Sequence, residues 1–592
     1  MRVWHSPLTP TLSPLGRGRF AARWIMTRWR DGGLFLLLCL PLATSLAQDV
    51  PPVSSLPGGH RGATGPAVME PQATEPAPLP PVPDAGPAPV PSGGSSFMLQ
   101  GVRFEGGETL PHDGLKAVFT PFIGQWMTLA DVEELRYRLT KYYVDQGYVN
   151  SGVLIKPNQV VRDGVIIFQI IPGQLSEIRV SGQGWLRPSY LSDRIQPDPT
   201  APFNRVELQE RFQLLLQDPL IDQLKGTLLP GSAPGSAVLD LAVTRARPWE
   251  LYLRTDNYRP PSTGAERVYA GGILRNLSGF GDALDFYIGH GYEGQGQEGA
   301  VGWSIPLNAR DTRLTLHYDR SDASLLEEPL ADLEIASETQ RFDLGISHPL
   351  WRSLESSLNL GALLNWSENK TSLLGEPFSF SEGVVDGESR VTALRIFQEY
   401  AHHSSQSAYA LRSVFSYGLD AFDATIHLDN TPDSRFFVWL GQGQYVRRLT
   451  ERGMQLIVRG GIQLAGERLL ALESFAVGGV NTVRGYRENE LVGDSGYAAS
   501  LEVRYPLWEG SGFADTRQQV QLALFTDVGS AWNHGQFDVR ENLWSVGAGL
   551  LWTVEERLRA ELYLGHALNE PVPQEDHDLQ DEGVHFMVQV DF

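Results

Sequence analysis

The chain has 592 residues, more than one ordinary domain needs, and sets 48 Lys and Arg against 70 Asp and Glu for a net charge of −22. That balance, with no basic block, argues against a nucleic-acid surface, because neutralising phosphates needs clustered cations. No apolar run of about 18 residues follows the N-terminal region, so a membrane role for the mature chain requires a β-barrel rather than helices.

The segment "MTRWRDGGLFLLLCLPLATSLAQ" supplies Arg28 and Arg30, an apolar stretch from Leu34 to Leu42, and small residues at Ser45 and Ala47. It reads as a secretory signal occupying residues 1–47 and cleaved after Ala47, with Met26 as an alternative start. Cys39, the only cysteine, lies inside the signal and lacks the small residue before it that a lipoprotein signal shows. The exported chain is therefore expected to hold no disulfide and no Cys-bound metal. Residues 48–96, including "PAPLPPVPDAGPAPVPSGG", are too poor in apolar surface to fold alone and read as a linker.

From Phe97 the pattern becomes that of a small α+β module. "FMLQGVRFEG" reads as a strand, "DGLKAVF" as a short helix, and "TLADVEELRYRLTKYYVDQGY" as an amphipathic helix. Thr128 and Asp131 form a capping-box pair, Val132, Leu135, Leu139 and Tyr142 share one face, and Gly147 ends the helix. Strands follow at "SGVLIKP" and "GVIIFQIIPG". The same order then recurs through "LSEIRVSGQ", "RPSYLSDRI", "NRVELQERFQLLLQD", "LKGTLLPG" and "SAVLDLAVTR", with Asn204 and Glu207 in the places of Thr128 and Asp131. Two modules are expected, at 97–173 and 174–247.

After Pro248 the helical period gives way to strict alternation. "RLRAELYLGH" places Leu558, Ala560, Leu562 and Leu564 on one face and Arg557, Arg559, Glu561 and Tyr563 on the other. The final "VHFMVQVDF" points Val584, Phe586, Val588, Val590 and Phe592 outward and His585, Gln589 and Asp591 inward, the pattern of an outer-membrane barrel strand with a terminal aromatic. At the usual 9–11 residues per strand, about 16 strands fit between Glu250 and Phe592. The fold class expected is thus a transmembrane β-barrel of about 16 antiparallel strands over 248–592, preceded by two small α+β modules. Connections alternate between short ones ("NLSGFG", "LNARD", "PLWRS", "RRLTERG", "VEE") and long ones: Ser321 to Glu338, Glu368 to Arg390, Gly466 to Gly496 and Ala567 to Gly583. Short turns are expected on the module side and long loops outside, which makes 466–496 the sixth external loop, between strands 11 and 12.

Within that loop lies "FAVGGVNTVRGYRENELVGDSG", and two strands later "LFTDVGSAW". With "RTDNYRPPSTGAERVYAGGILRNLSGFGDAL", "GWSIPLNARDTRLTLHY" and "SHPLWRS", these residues resemble the outer-membrane transporters of two-partner secretion, the haemolysin secretion/activation proteins of the barrel-assembly superfamily, over roughly Phe97 to Phe592. The resemblance implies that the modules are periplasmic POTRA domains and that the loop carrying Val483, Arg484, Gly485 and Tyr486 folds back into the lumen, where Arg484 meets Asp527. Alternation along "QVQLALFTDVG" is compatible, since it turns Gln519, Gln521, Phe525 and Asp527 inward. Gly478, Gly479 and Gly485 are the expected turning points of the loop, and Phe592 the C-terminal signal for insertion into outer-membrane lipid by the barrel-assembly machinery. The implied partner is a β-helical exoprotein of the haemolysin or adhesin type, captured unfolded in the periplasm and secreted through the barrel of a Gram-negative outer membrane. Two modules favour this over the alternative of a general barrel-assembly insertase; a passive pore or uptake channel is the alternative from another class. Residues 48–96 lack a helical period and read as a tether rather than the pore-plugging helix of some members.

No enzymatic site, cofactor, metal or nucleic-acid partner is expected. "GDSG" at Gly493 to Gly496 resembles a serine-protease loop, but Tyr497 stands where that loop has a glycine and no matching His context is visible. The neighbouring His402 and His403 read as a surface turn rather than a metal site.

Overall fold

The computed structural model describes residues 96–592 apart from 197, 199–200, 293–295, 329, 512–515, 536–540, 556 and 570–576. The expected signal at 1–47 with its Cys39, and all but the last residue of the expected linker at 48–96, lie outside the described residues.

Two related α+β units come first. In the first, β1 (Phe97–Met98), β2 (Gly101–Glu105), α1 (Leu115–Phe119), β3 (Trp126–Met127), α2 (Leu129–Asp145), β4 (Gly152–Ile155) and β5 (Val165–Ile171) follow in order. β5 is central, parallel to β2 and antiparallel to β4, while β1 pairs separately with β3. "FMLQGVRFEG" is therefore two strands, because the chain breaks to bury Leu99 in the core.

The start of α2 follows from its first residues: the Thr128 hydroxyl accepts from Asp131 N at 3.3 Å, and the Asp131 carboxylate accepts from Thr128 N at 2.8 Å. The Thr128 hydroxyl also donates to the Asp131 carboxylate at 2.7 Å, and this bond with that from Thr128 N holds the Asp131 carboxyl below its ordinary pKa. Gly147, with φ +92°, reverses the chain after the last turn. The buried face is Val132, Leu135, Leu139 and Tyr143, not Tyr142. Tyr142 sits at the edge of that face, where its hydroxyl accepts from Gly114 N at 3.2 Å.

The second unit contains β6 (Gln174–Ser181), α3 (Pro188–Ile195), α4 (Arg205–Leu216), β7 (Ile221–Pro230) and β8 (Ser236–Arg245), with β8 central. Asn204 caps α4 by accepting from Val206 N at 2.8 Å. Glu207 does not complete a box as Asp131 does. Its carboxylate accepts from the Arg211 guanidinium at 2.7 Å, a charged donor one turn along that outcompetes a neutral backbone N–H.

The barrel begins with β9 (Trp249–Asp256), β10 (Arg267–Arg275), β11 (Ala283–Gly291), β12 (Gln297–Pro306), β13 (Arg313–Ser324) and β14 (Ala336–Arg352). It continues through β15 (Ser356–Leu373) with its two-residue stub β16 (Glu376–Pro377), then β17 (Glu388–His403), β18 (Ser407–Leu419), β19 (Phe437–Arg448) and β20 (Gln455–Ala465). A small hairpin, β21 (Phe475–Val477) and β22 (Leu491–Gly493), lies inside the next loop. The wall is completed by β23 (Ser495–Ser511), β24 (Arg517–Trp532), β25 (Glu541–Val554), β26 (Leu558–Ala567) and β27 (Val584–Asp591). Among the described residues, and leaving the stub aside, sixteen antiparallel strands close when β27 pairs with β9. Closure removes every free edge, which is what lets backbone polar groups cross lipid.

Side chains alternate as a membrane barrel requires. On β24, Ala523, Phe525 and Asp527 are buried while Leu524 is exposed; on β26, Tyr563 is buried between exposed Leu562 and Leu564. Such an exposed apolar band is stable only against lipid.

Several strands outrun the expected length, reaching 18 residues in β15. The Ser321 to Glu338 and Glu368 to Arg390 segments are not all loop: β13 pairs with β14 as far as Ser324 with Ala336, and β15 with β17 as far as Lys370 with Glu388. Above the lipid both faces of a hairpin meet water, so the apolar alternation stops while backbone pairing continues. In "PLWRS", Pro349 to Arg352 belong to β14 with a bulge at Pro349/Trp351, and the Arg pair of "RRLTERG" ends β19. His402 and His403 close β17 rather than form a surface turn. His402 bonds the Ser356 hydroxyl at 2.7 Å and His403 is buried, because the β15 to β17 ladder extends to His402 and the β17 to β18 ladder to His403.

Candidate functional site in the barrel lumen

The loop between β20 and β23, residues 466–494, turns back into the barrel. Phe475, Val477, Val483 and Tyr486 are buried with Ala531 and Leu543, so the loop has an apolar underside resting on the wall. Two glycines set the first bend: Gly478 has φ +118° and Gly479 φ +91°, and a Cβ on Gly479 would lie 2.0 Å from Glu488 Cδ. Thr482 fastens the bend, its hydroxyl accepting from Gly478 N at 2.8 Å. Gly485, at φ +93°, lies backbone against backbone on Gly565 of β26, where a Cβ would come within 2.9 Å of Gly565 C.

Arg484 is thereby aimed at the wall between β23 and β24. Its Nε donates to Asp527 Oδ2 at 2.8 Å and its Nη2 to Asp527 Oδ1 at 2.9 Å, a two-pronged geometry that lysine cannot reproduce. The backbone N of Arg484 also donates to Asp527, at 3.1 Å. A second carboxylate, Glu502 of β23, takes Nη1, and the Ser500 hydroxyl accepts from Nη2 at 2.9 Å. The guanidinium lies 3.6 Å from the centroid of the Phe525 ring and 4.9 Å from that of Tyr563. Glycines of β25 make room for those rings, since a Cβ on Gly547 or Gly549 would lie 2.4 Å from Phe525 or Tyr563 respectively. Arg484, Glu502 and Asp527 are all 2% exposed or less, so water contributes almost nothing to balancing their charges.

The neighbours complete the seat. Tyr486 places its hydroxyl among the backbone of Trp544 and Asn569, accepting from their N–H groups at 3.3 and 3.2 Å. Arg487 reaches the other way, its Nε and Nη2 on Asp581 at 2.5 and 2.7 Å and its Nη1 on Glu327, so it ties this loop to two others. Asp494, inside "GDSG", accepts from Leu469 N at 2.9 Å and His534 N at 2.7 Å, a structural use of that motif. Phe592 leaves the wall with its N donating to Leu251 O at 2.8 Å and its ring on the exposed side.

Sequence reasoning missed Glu502, Ser500 and the Phe525/Tyr563 ring pair as partners of Arg484. One signal was available: Glu502 is a lone acid among outward Leu501 and Val503, so alternation turns it inward. Its strand partner Phe525, two residues before Asp527, could be found only from the register of β23 on β24.

The family profile described as "Haemolysin secretion/activation protein ShlB/FhaC/HecB" matches residues 235–551, more than half of the chain. The chain belongs to the haemolysin secretion/activation family. A second profile, "POTRA domain, ShlB-type", matches residues 97–173. Among relatives, the outer membrane transporter CdiB of Dickeya dadantii is 21% identical over 489 residues, covering 81% of this chain and 84% of that protein. The heme/hemopexin transporter protein HuxB of Haemophilus influenzae is 21% identical over 484 residues, covering 77% and 81%. In fold, the chain is similar to CdiB from Escherichia coli (TM-score 0.63, 20% identity, 88% and 94% covered) and to a BamA fragment from Haemophilus ducreyi (TM-score 0.52, 12% identity, 84% and 100% covered). As a haemolysin secretion/activation protein, it is a two-partner secretion transporter of the outer membrane that exports a partner exoprotein, with its POTRA units on the periplasmic side.

That orientation puts 449–454 at the periplasmic end and 374–387 outside. A protease-cleavable tag inserted in 374–387 should be cut on intact cells, and one in 449–454 should be cut only after the outer membrane is opened; the reverse pattern would invert the topology.

Proposed function

We propose that the chain exports a β-helical haemolysin or adhesin type partner, captured unfolded by the periplasmic modules and released at the cell surface, where its folding biases movement outward without ATP. Sheet edges in the modules suit transient capture, because main-chain pairing to an extended client depends little on client side chains. The observation that carries the reading is a lumen occupied by a loop held through Arg484, Glu502 and Asp527. The charged anchors can be exchanged for contacts with a passing chain, and the apolar underside of the loop gives it a seat on the wall to return to.

In this reading residues 1–47 direct export, 48–96 tether, 97–173 and 174–247 capture, and 248–592 conduct. Val483, Arg484, Gly485 and Tyr486 hold the loop as a strut against Asp527, turned by Gly478 and Gly479. Phe592 marks the barrel for insertion into lipid by the assembly machinery. The work is transport, with no catalytic step. The test is depletion of this protein in cells producing an exoprotein encoded beside it. The partner should accumulate in the periplasm while other outer-membrane barrels keep their normal abundance. Loss of those barrels with continued export would favour an insertase.

A further inference from the structure

The second module meets the barrel through a joint as specific as the loop anchor. Helix α3 faces two periplasmic turns, 276–282 and 307–312. On the first turn, Arg187 N donates to Gly279 O at 3.0 Å and the Arg187 guanidinium lies 3.7 Å from the centroid of Phe280. The Tyr190 ring fills the space above Gly281, where a Cβ would come within 2.2 Å of it. Its hydroxyl donates to Asp218 at 2.6 Å, fixing the ring from the module's own side.

On the second turn stands Asp311, in a left-handed conformation at φ +63°. Its carboxylate meets three guanidiniums: Arg194 of α3 at 3.4 Å, Arg313 of β13 at 3.1 Å and Arg352 of β14 at 3.6 Å. Arg194 is itself held, stacked 3.7 Å from the Tyr190 ring centroid and donating to Tyr190 O at 3.1 Å. Burial opposes charge on Asp311, but the three arginines keep its carboxyl below its ordinary pKa, so it stays ionised at neutral pH. One anion between three cations is a keystone. Without it, a cation on the module would face two on the barrel across a partly buried gap, and like charges there repel.

We propose that this joint locks the second module to the barrel during export, with Asp311 and Arg194 as its positioning residues, so that the client passes from a module of fixed orientation rather than one that swings. This rests on the export reading above. Joint formation can nevertheless be measured without export, so the two can fail separately.

The only native cysteine is Cys39, in the expected signal, which leaves a clean background for cross-linking. A Cβ at Gly279 would lie 3.7 Å from Arg187 Cγ, so Arg187→Cys with Gly279→Cys should form a disulfide in outer membranes, and Gly279→Cys alone, which places a side chain at φ +86°, is the control that the turn still forms and exports. With the link closed, export should stay within about twofold of the reduced form, as expected when no hinge works at the joint. Failure of the link to form where Gly279→Cys alone exports normally would overturn the docking. A several-fold fall in export on oxidation, restored by reductant, would overturn the lock. Asp311→Asn in the cysteine pair should lower the cross-link yield several-fold with the barrel still heat-modifiable. Adding Arg194→Ala should restore much of that yield by removing the repelling cation. An unchanged yield with Asp311→Asn, or a double substitution worse than the single, would remove Asp311 as keystone.

Discussion

Replacing Arg484 with alanine should lower export at least about tenfold while the barrel remains inserted, since removing one member of a buried charge group costs about 3–5 kcal/mol and each 1.4 kcal/mol is a factor of ten. The loss falls on the loop rather than the wall. Asp527 would be left buried without its cation, with Glu502 keeping only Arg504, and the cheapest relief is for the loop to leave and water to enter. The sixteen-strand ladder does not depend on that contact. Arg484→Lys should recover only part of the activity, because an ammonium cannot take the two oxygens of Asp527 and reach Glu502 at once. Asp527→Ala should resemble Arg484→Ala, and the pair together should be no worse than either, as for two members of one interaction. Glu502→Gln should be milder, though it also strips Arg504 of its 2.6 Å partner. Export assays beside the heat-modifiability of the barrel check all of these; fully additive losses would mean that Arg484 acts on the passing chain and not through Asp527.

Deleting residues 97–247 should abolish export altogether and still leave a membrane-inserted barrel. Both modules have their own cores, one around Leu135 and Phe168 and one around Leu191 and Phe212, so removing them does not open the barrel's interior. Lumen contacts such as Arg484 with Asp527 lie wholly within the barrel and should survive. What disappears is the site at which an unfolded client is held before entry. Deleting 97–173 alone separates capture from docking, because the second module stays joined to the turns through Arg194 and Asp311. Surface or culture-medium partner measured against periplasmic partner gives the readout. Wild-type export without 97–247 would make the barrel a passive conduit.

The sequence by itself determined the elements whose signals are local. Alternation at Leu558 to Leu564 follows from a wall with lipid on one side, and the Thr128/Asp131 box from the unpaired N–H groups at a helix start. The parity of short and long connections was equally visible, because an up-and-down barrel needs only short turns at the end where its modules sit. Strand ends were not legible, since β15 and β17 keep pairing above the lipid, where nothing asks their side chains to alternate. The sequence pattern placed Tyr142 on the buried face of α2 where the structure buries Tyr143, adjacent aromatics that differ only by the phase of the helix against its sheet. The inward direction of Asp527 was written in β24, but that Arg484 also takes Glu502 and lies over Phe525 was not. Those contacts join a loop to two strands and depend on the register of β23 against β24 and on the bends at Gly478, Gly479 and Gly485. The three arginines around Asp311 come from α3, β13 and β14, up to 158 positions apart in sequence, and only the closed barrel with the second module seated beneath it brings them to one carboxylate.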